Sequence, residues 1–211
     1  MAWREVASAI TVRLAEGGLD LVAACADGAR LGLVAGNSRV LWPRFKDWLA
    51  ADAVRRRLAH PLDACVEEVV GRAVAGVPCT VHHAHDGPPW LPIQRLAERA
   101  GLAWLAPSNL AIHPVFGPWI SLRAYIVVDE VGPSTPPAPA PACAACPHAC
   151  VPAFERARRT LDAAGPAASS RASWRDWLAV RDACPVGREH RFQDDQIRYG
   201  YTKDRAVLGN G

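Results

Sequence analysis

Apolar residues recur at a helical period from Trp3 to Glu16, with Val6, Ile10 and Leu14 on one stripe and Gly17-Gly18 as a stop. "LDLVAAC" and "LGLVAGN" then read as paired strands around the turn residues Asp27-Gly28. Two helical patterns follow. One runs from Pro43 to Leu58, and the other is "PLDACVEEVVGRAVAG", which Pro61 opens and Gly76 closes. "CTVHHAH" alternates like a strand. "LPIQRLAERAGLAWL" predicts a helix ending near Gly101 and a short strand after it. "WISLRAYIVVD", a β-branched and aromatic run between Pro118 and Gly132, is the plainest strand of all.

Strands interleaved with helices over residues 1–131 predict an α+β core domain, a sheet covered by helices. "VGPSTPPAPAPAC" then marks residues 132–142 as a proline-rich connector that packs as neither helix nor sheet. Residues 143–211 read as a mainly helical, cysteine-bearing tail built from "VPAFERARRTLDAAG", "SWRDWLAVRDAC" and "FQDDQIRYGY". The tail is too poor in strands to be an enzyme by itself, so it is expected to pack on the core as an appendage or lid.

Composition narrows the function classes. Half of the 211 residues are hydrophobic and 21% are charged, which is globular usage with enough length for a sizeable core. A net charge of +3 offers no basic stripe for nucleic acid. The densest basic run, Arg55 to Arg57, reads as a solvated helix face. No apolar run reaches the ~18 residues of a membrane-spanning helix, and the opening residues mix charge into a helical period. The expectation is a cytoplasmic protein without membrane or nucleic-acid partners. Its seven cysteines are then reduced thiols or metal ligands rather than disulfides.

Four of those cysteines form a pattern. Cys143, Cys146 and Cys150 in "CAACPHACVP" have C-x2-C-x3-C spacing, and Cys184 in "DACPVG" supplies a distant fourth. Iron–sulfur clusters take four thiolates, with a short-spaced loop wrapping the cluster and a remote cysteine closing it. Zinc accepts the same ligands, and unligated thiols in a linker are the plain alternative. In "VHHAHDG", a strand would put His83 and His85 on one face, where they could take a metal with Asp86 or simply meet water. On a helix, Trp174, Trp177 and Arg181 share a stripe with Arg175 beside it, which suits packing or an anionic ligand group. No Ser-His-Asp elbow, phosphate-binding glycine loop or dinucleotide fingerprint is present.

One stretch remains: "NLAIHPVFGPWISLRAYIVVDE", residues 109–130, which crowds His113, Phe116 and Trp119 into seven residues ahead of the long strand. By itself it reads as a turn capped by His113 with Phe116 and Trp119 in the core. Yet His113, Pro114, Phe116, Gly117, Trp119 and Arg123 resemble the His-Pro-x-Phe-Gly-x-Trp corner and early strand arginine of the cytosolic cyanocobalamin reductase/alkylcobalamin dealkylase family. "HPLDACVEEVVG" before the corner and "SWRDWLAVRDAC…HRFQDDQIRYGY" after it resemble that family in the same order, over about residues 30–200. "LAERAGLAWLAPSNLAI…FGPWISL" and the cysteine-rich tail are also similar to epoxyqueuosine reductases. Their two four-iron clusters need eight cysteines, however, so this chain can hold one at most. Their Gly-Lys-Asn lysine is replaced here by Pro107 or Ser108, and of their general acid only Asp86 is near.

The resemblance implies a nitroreductase-like fold and a corrinoid (cobalamin) bound with its own base displaced from cobalt. Trp104, Phe116, Gly117 and Trp119 would give surface to the ring, and Ser108, Asn109 and His113 would anchor its polar edge. It further implies reduction of cobalt or removal of its upper ligand. Electrons would come from one [4Fe-4S] cluster, a flavin, a thiol reductant or an electron-donor protein. A carrier that hands cobalamin on without turnover is the alternative.

Overall fold

The computed structural model describes residues 3–133, 143, 146–147, 149–165 and 171–209. Most of the expected connector, residues 134–142, lies outside the described residues. The chain divides into two compact units, one formed by Met1–Ala103 with Ile120–Pro139, the other by Trp104–Trp119 with Ala140–Gly211. The corner that precedes the long strand thus groups with the tail.

The first unit is built on helix α1 (Trp3–Glu16), strands β1 (Leu21–Asp27) and β2 (Arg30–Asn37), and helices α2 (Leu41–Ala50) and α3 (Pro61–Ala73). Strand β3 (Cys79–His83), helix α4 (Ile93–Arg99) and the long strand Ser121–Val131 complete it. That strand is β6, after the short β4 (Trp104–Leu105) and β5 (Ala111–Ile112) of the second unit. The sheet order is β1-β2-β6-β3 with every pair antiparallel. Gly28 takes φ +60 in the two-residue turn joining β1 to β2, the left-handed position such a turn requires. Strand β2 is almost wholly buried; Leu31, Leu33, Ile126 and Val128 share one face of the sheet, and Ile10, Leu14, Phe45, Val66 and Val70 are buried on the helices.

Polar groups in this unit are tied down locally. Tyr125 donates its hydroxyl to Asp27 Oδ1 at 3.0 Å and accepts from Arg99 Nη2 at 3.2 Å. Gly32 lies against that ring, where a Cβ would collide with the hydroxyl. Fully buried Asn37 donates to the Ser38 carbonyl at 2.6 Å and accepts from Arg123 Nε at 2.7 Å.

Two expectations need correction here. The helical run from Pro43 to Leu58 is broken: α2 spans Leu41–Ala50, and Arg55–Arg57 form a separate 3-10 turn. The Asp52 carboxylate accepts the Val54 N–H at 2.8 Å, the local bond by which aspartate competes with a helix. Arg55 then donates to the Trp48 carbonyl at 2.9 Å and lies over the Trp48 ring, so it is not simply a solvated face. Likewise "CTVHHAH" is extended only to His83, because the Asp86 side chain accepts the His83 N–H at 2.7 Å and starts a turn. His85 therefore lies beyond the strand.

In the second unit β4 and β5 pair as a minimal hairpin, with Asn109 at φ +58. Helices α5 (Cys150–Ala163) and α6 (Trp174–Asp182) pack through Ala153, Ala157 and Val180, with Phe154 edge-on to Trp177 at 6.0 Å. Helix α7 (Asp194–Thr202) adds Ile197 to a cluster with Trp119 and Phe192.

Candidate functional site

The corner is a tight β-bridge loop. His113 and Gly117 exchange both backbone bonds at 2.9 Å. Inside that ring His113 Nδ1 accepts the N–H groups of Val115 at 3.1 Å and Phe116 at 3.2 Å. A ring nitrogen that accepts twice carries no proton, so the neutral imidazole holds its proton on Nε2. The Phe116 ring lies 4.9 Å from His113 and meets His190 edge-on at 4.7 Å.

Gly117, at φ +55, lets the corner approach the backbone at Val186, where any Cβ would strike the carbonyl oxygen. Gly187, at φ +69, answers it from the other side, with the Phe116–Gly117 backbone in its path. The corner is therefore pinned to the segment after α6 by two glycines back to back.

The structure sorts the expected corrinoid residues by depth. Trp104, His113 and Phe116 are half-buried, and Asn109 is exposed. Trp119 is only 1% exposed, set against Phe192 at 5.8 Å with the Arg191 guanidinium over its ring at 5.4 Å. It supports the corner from beneath rather than presenting surface. Ser108 is also inside, at 2% exposure, and its Oγ has no hydrogen-bond partner.

Ser108 is not alone in that respect. In the same unit Trp119 Nε1, Ser173 Oγ, Trp177 Nε1 and Gln196 Oε1 are buried without a hydrogen-bond partner. Buried polar atoms are normally satisfied, and one left open costs about 1–3 kcal/mol. Of these five, sequence reasoning had named Ser108 and Trp119 as corrinoid contacts and Trp177 for its helix stripe. Ser173 and Gln196 were missed, because a serine before a helix reads as a cap and a glutamine within one reads as surface. In fact the Ser173 side chain makes no cap bond.

The tryptophans of α6 diverge. Trp177 faces α5, whereas Trp174 meets Tyr201 at 6.0 Å. Arg181 is placed over the rings of Trp119, Phe192 and Tyr201 at 5.8–5.9 Å. Arg175 covers Trp174 at 4.6 Å, and a cleft of about 500 Å³ opens beside it, lined also by Leu178, Asp194, Ile197, Arg198, Thr202 and Asp204. Arg198 is paired with Asp204 at 2.6 Å, and Asp194 is held by Arg191 at 2.8 Å, so Arg175 is the lining cation set over an aromatic ring in a cleft that carries both charges.

Other candidates resolve differently. His83 and His85 stack at 5.2 Å, and His85 Nε2 is 2.7 Å from Glu67 while its Nδ1 is 3.8 Å from Asp63. Asp86 is turned to the His83 backbone. Among the described residues no three His, Cys, Asp or Glu side chains are arranged around a single metal ion. All seven cysteines are thiols. No helix among the described residues is long and apolar enough to cross a membrane.

No protein-family model matches the chain, and no curated protein does either. Among solved structures, the chain is similar to the crystal structure of a C. elegans B12-trafficking protein CblC, a human MMACHC homologue. The likeness has a TM-score of 0.65 at 13% identity and covers 98% of this chain and 95% of that one. At that identity it is a likeness of fold. It shows the α+β, nitroreductase-like arrangement expected from the sequence.

Proposed function

We propose that the protein binds a corrinoid, with the His113–Gly117 corner as part of the floor, and processes it by reducing cobalt or removing its upper ligand. The observation that carries this reading is the set of buried polar atoms left open in the second unit, beside an aromatic corner. A corrin is broad and largely apolar but fringed with amides, which both donate and accept hydrogen bonds. Ser108 Oγ and Gln196 Oε1 can take amide N–H groups, and Trp177 Nε1 can give an N–H to an amide oxygen. That donor set fits the group. An apolar ligand would leave the same atoms unsatisfied.

His113 acts through Nε2–H, since the loop itself occupies Nδ1. An N–H donor anchors an amide or a displaced base; it does not ligate cobalt. Phe116 offers ring surface at the corner, and Trp119 and Phe192 brace it from below. The α6–α7 cleft, with Trp174 as a wall and Arg175 for charge, suits an aromatic base carrying a phosphodiester, which is what a displaced nucleotide tail is. With its lower base removed, cobalt is more weakly ligated and more easily reduced. The electrons come from outside the corrinoid, by a flavin, a thiol reductant or an electron-donor protein. The likeness to a B12-trafficking protein supports the reading, and a cytoplasmic location accords with it.

Titration with cob(II)alamin, followed by absorbance, tests this. Wild type is expected to bind and to shift the spectrum to the base-off form, with His113→Ala binding about tenfold or more weakly. Absence of both binding and spectral change in wild type would overturn the reading.

A further inference from the structure

The four-stranded sheet ends in β1 on one side and β3 on the other, and the two edges are built differently. Asp27 and Arg30 face each other across the two-residue turn, so they form the hydrogen-bonded pair that closes the β1–β2 hairpin. Alternation then assigns the bonds to β2 to Asp27, Cys25, Ala23 and Leu21. Val22, Ala24 and Ala26 turn their N–H and C=O groups outward. On the far side the Ala84 N–H bonds the Arg123 carbonyl at 2.8 Å, and the Asp129 N–H bonds the Pro78 carbonyl at 3.0 Å. The outward residues of β3 are therefore Cys79, Val81 and His83.

An edge strand offers unpaired backbone to other chains, and proteins blunt it with short length, proline, charge or a bulge. Strand β3 is blunted. It has 5 residues, Pro78 precedes it, and the Asp86 carboxylate takes the outward His83 N–H at 2.7 Å. Strand β1 is not. Its 7 residues run in unbroken register with β2, without proline or lysine, and its one charge is Asp27 at the end. That carboxylate is held by Tyr125 at 3.0 Å and Arg30 at 3.2 Å. Among the described residues, no hydrogen bond reaches the outward groups of Val22, Ala24 or Ala26.

From this pattern we infer that β1 is an interface for a second copy of the chain, pairing antiparallel with its twin about a two-fold axis at Ala24. The outward residues are evenly spaced about Ala24, so the strand is its own complement. Ala24 exchanges both backbone bonds with the partner subunit's Ala24, Val22 with the partner subunit's Ala26, and Ala26 with the partner subunit's Val22. The two Asp27 carboxylates fall at opposite ends of the joint, roughly 20 Å apart at ~3.4 Å per residue, so like charges do not oppose.

Helix α1 favours the same occupant. It packs on both β1 and β2. With strands ~4.8 Å apart, a helix over the β1–β2 midline stands about 5 Å from the axis, which sets two copies about 10 Å apart, a helix-packing distance. The axis reverses one α1 against the other. The Arg4–Glu5 end of each then lies beside the Arg13–Glu16 end of its twin, where opposite charges can meet. All four side chains are exposed, and none is in an ion pair among the described residues.

Sedimentation of the full chain without ligand, together with amide exchange read by NMR, tests this. Wild type is expected to run at twice the chain mass at micromolar concentration and to protect the Val22, Ala24 and Ala26 amides. Mass and protection should fall together wherever dilution separates the copies. Ala24→Pro removes an outward N–H and no bond to β2, a change that edge strands tolerate. It should be monomeric with a native circular-dichroism spectrum, whereas Val81→Pro, the same change on the β3 edge, should stay dimeric. If Ala24→Pro does not fold, mass and exchange in wild type decide alone. A monomer at every concentration, a dimer that survives Ala24→Pro, or a dimer whose three amides exchange freely would overturn the assignment. Protection of those amides in a monomer would do so too, since a segment of the same chain would then cover the edge. No corrinoid enters the test, so its outcome and that of the cobalamin titration are independent.

Discussion

The two units treat their buried polar groups in opposite ways. In the first, Tyr125 bonds Asp27 and Arg99, and Asn37, Ser38 and Asp20 close on one another: Ser38 donates both its N–H, at 2.8 Å, and its Oγ, at 2.6 Å, to Asp20. In the second, five buried polar atoms around the corner and α6–α7 end without a partner. In the first unit these bonds tie polar groups to neighbours within the unit. The second accepts instability of the kind that ligand sites carry. The contrast is one of concentration, since His83 Nδ1 in the first unit is also open.

The largest expected effect comes from breaking the corner. Gly117→Val adds a branched side chain at φ +55 against the Val186 carbonyl, and should cost about 4 kcal/mol or more in a denaturant titration. A cost below ~1 kcal/mol would mean that the corner is not pinned.

Next in size, Tyr125→Phe removes two hydrogen bonds, leaving Asp27 only its pair with Arg30 and taking one acceptor from Arg99, for about 1–3 kcal/mol. Ser108→Ala is the matching change in the second unit and should do the reverse. Stability should stay within about 0.5 kcal/mol of wild type or rise, while cob(II)alamin binding weakens. Equal destabilisation by both variants would erase the contrast.

The smallest effect is one of pH. Burial, then the neighbouring His85, holds His83 below its ordinary 6.5. As pH falls the unfolded chain takes that proton first, so stability present above 6.5 is lost below it. The melting temperature should fall between about pH 7.5 and about pH 5.5, and His83→Gln should flatten that slope. An unchanged slope in the variant would assign the pH dependence elsewhere.

Much of this was legible in the chain. Helix α1 has the bounds its period predicts, and the β1–β2 hairpin turns at Gly28 as the glycine requires. The long strand is plain because it is buried and β-branched over most of its length. What periodicity misses is the work of single side chains. Asp52 and Asp86 end elements that hydrophobic pattern alone would prolong, because each captures one backbone N–H. Strand β5 is two residues long and carries no period at all.

At the candidate site, the aromatic corner could be read directly. The depth of Trp119 and the openness of Ser173 and Gln196 could not, since burial without a partner is a property of packing. Nor could sequence show that Trp104–Trp119 groups with the tail rather than with the strand it leads into.

The most direct test of the corrinoid reading is a crystal structure of the full chain grown with cob(II)alamin. The account predicts a corrin with Phe116 and His113 in contact with it, the lower base off cobalt, and Ser108 Oγ and Gln196 Oε1 within hydrogen-bond distance of side-chain amides. A corrin bound elsewhere, with those two atoms still unpaired, would contradict it.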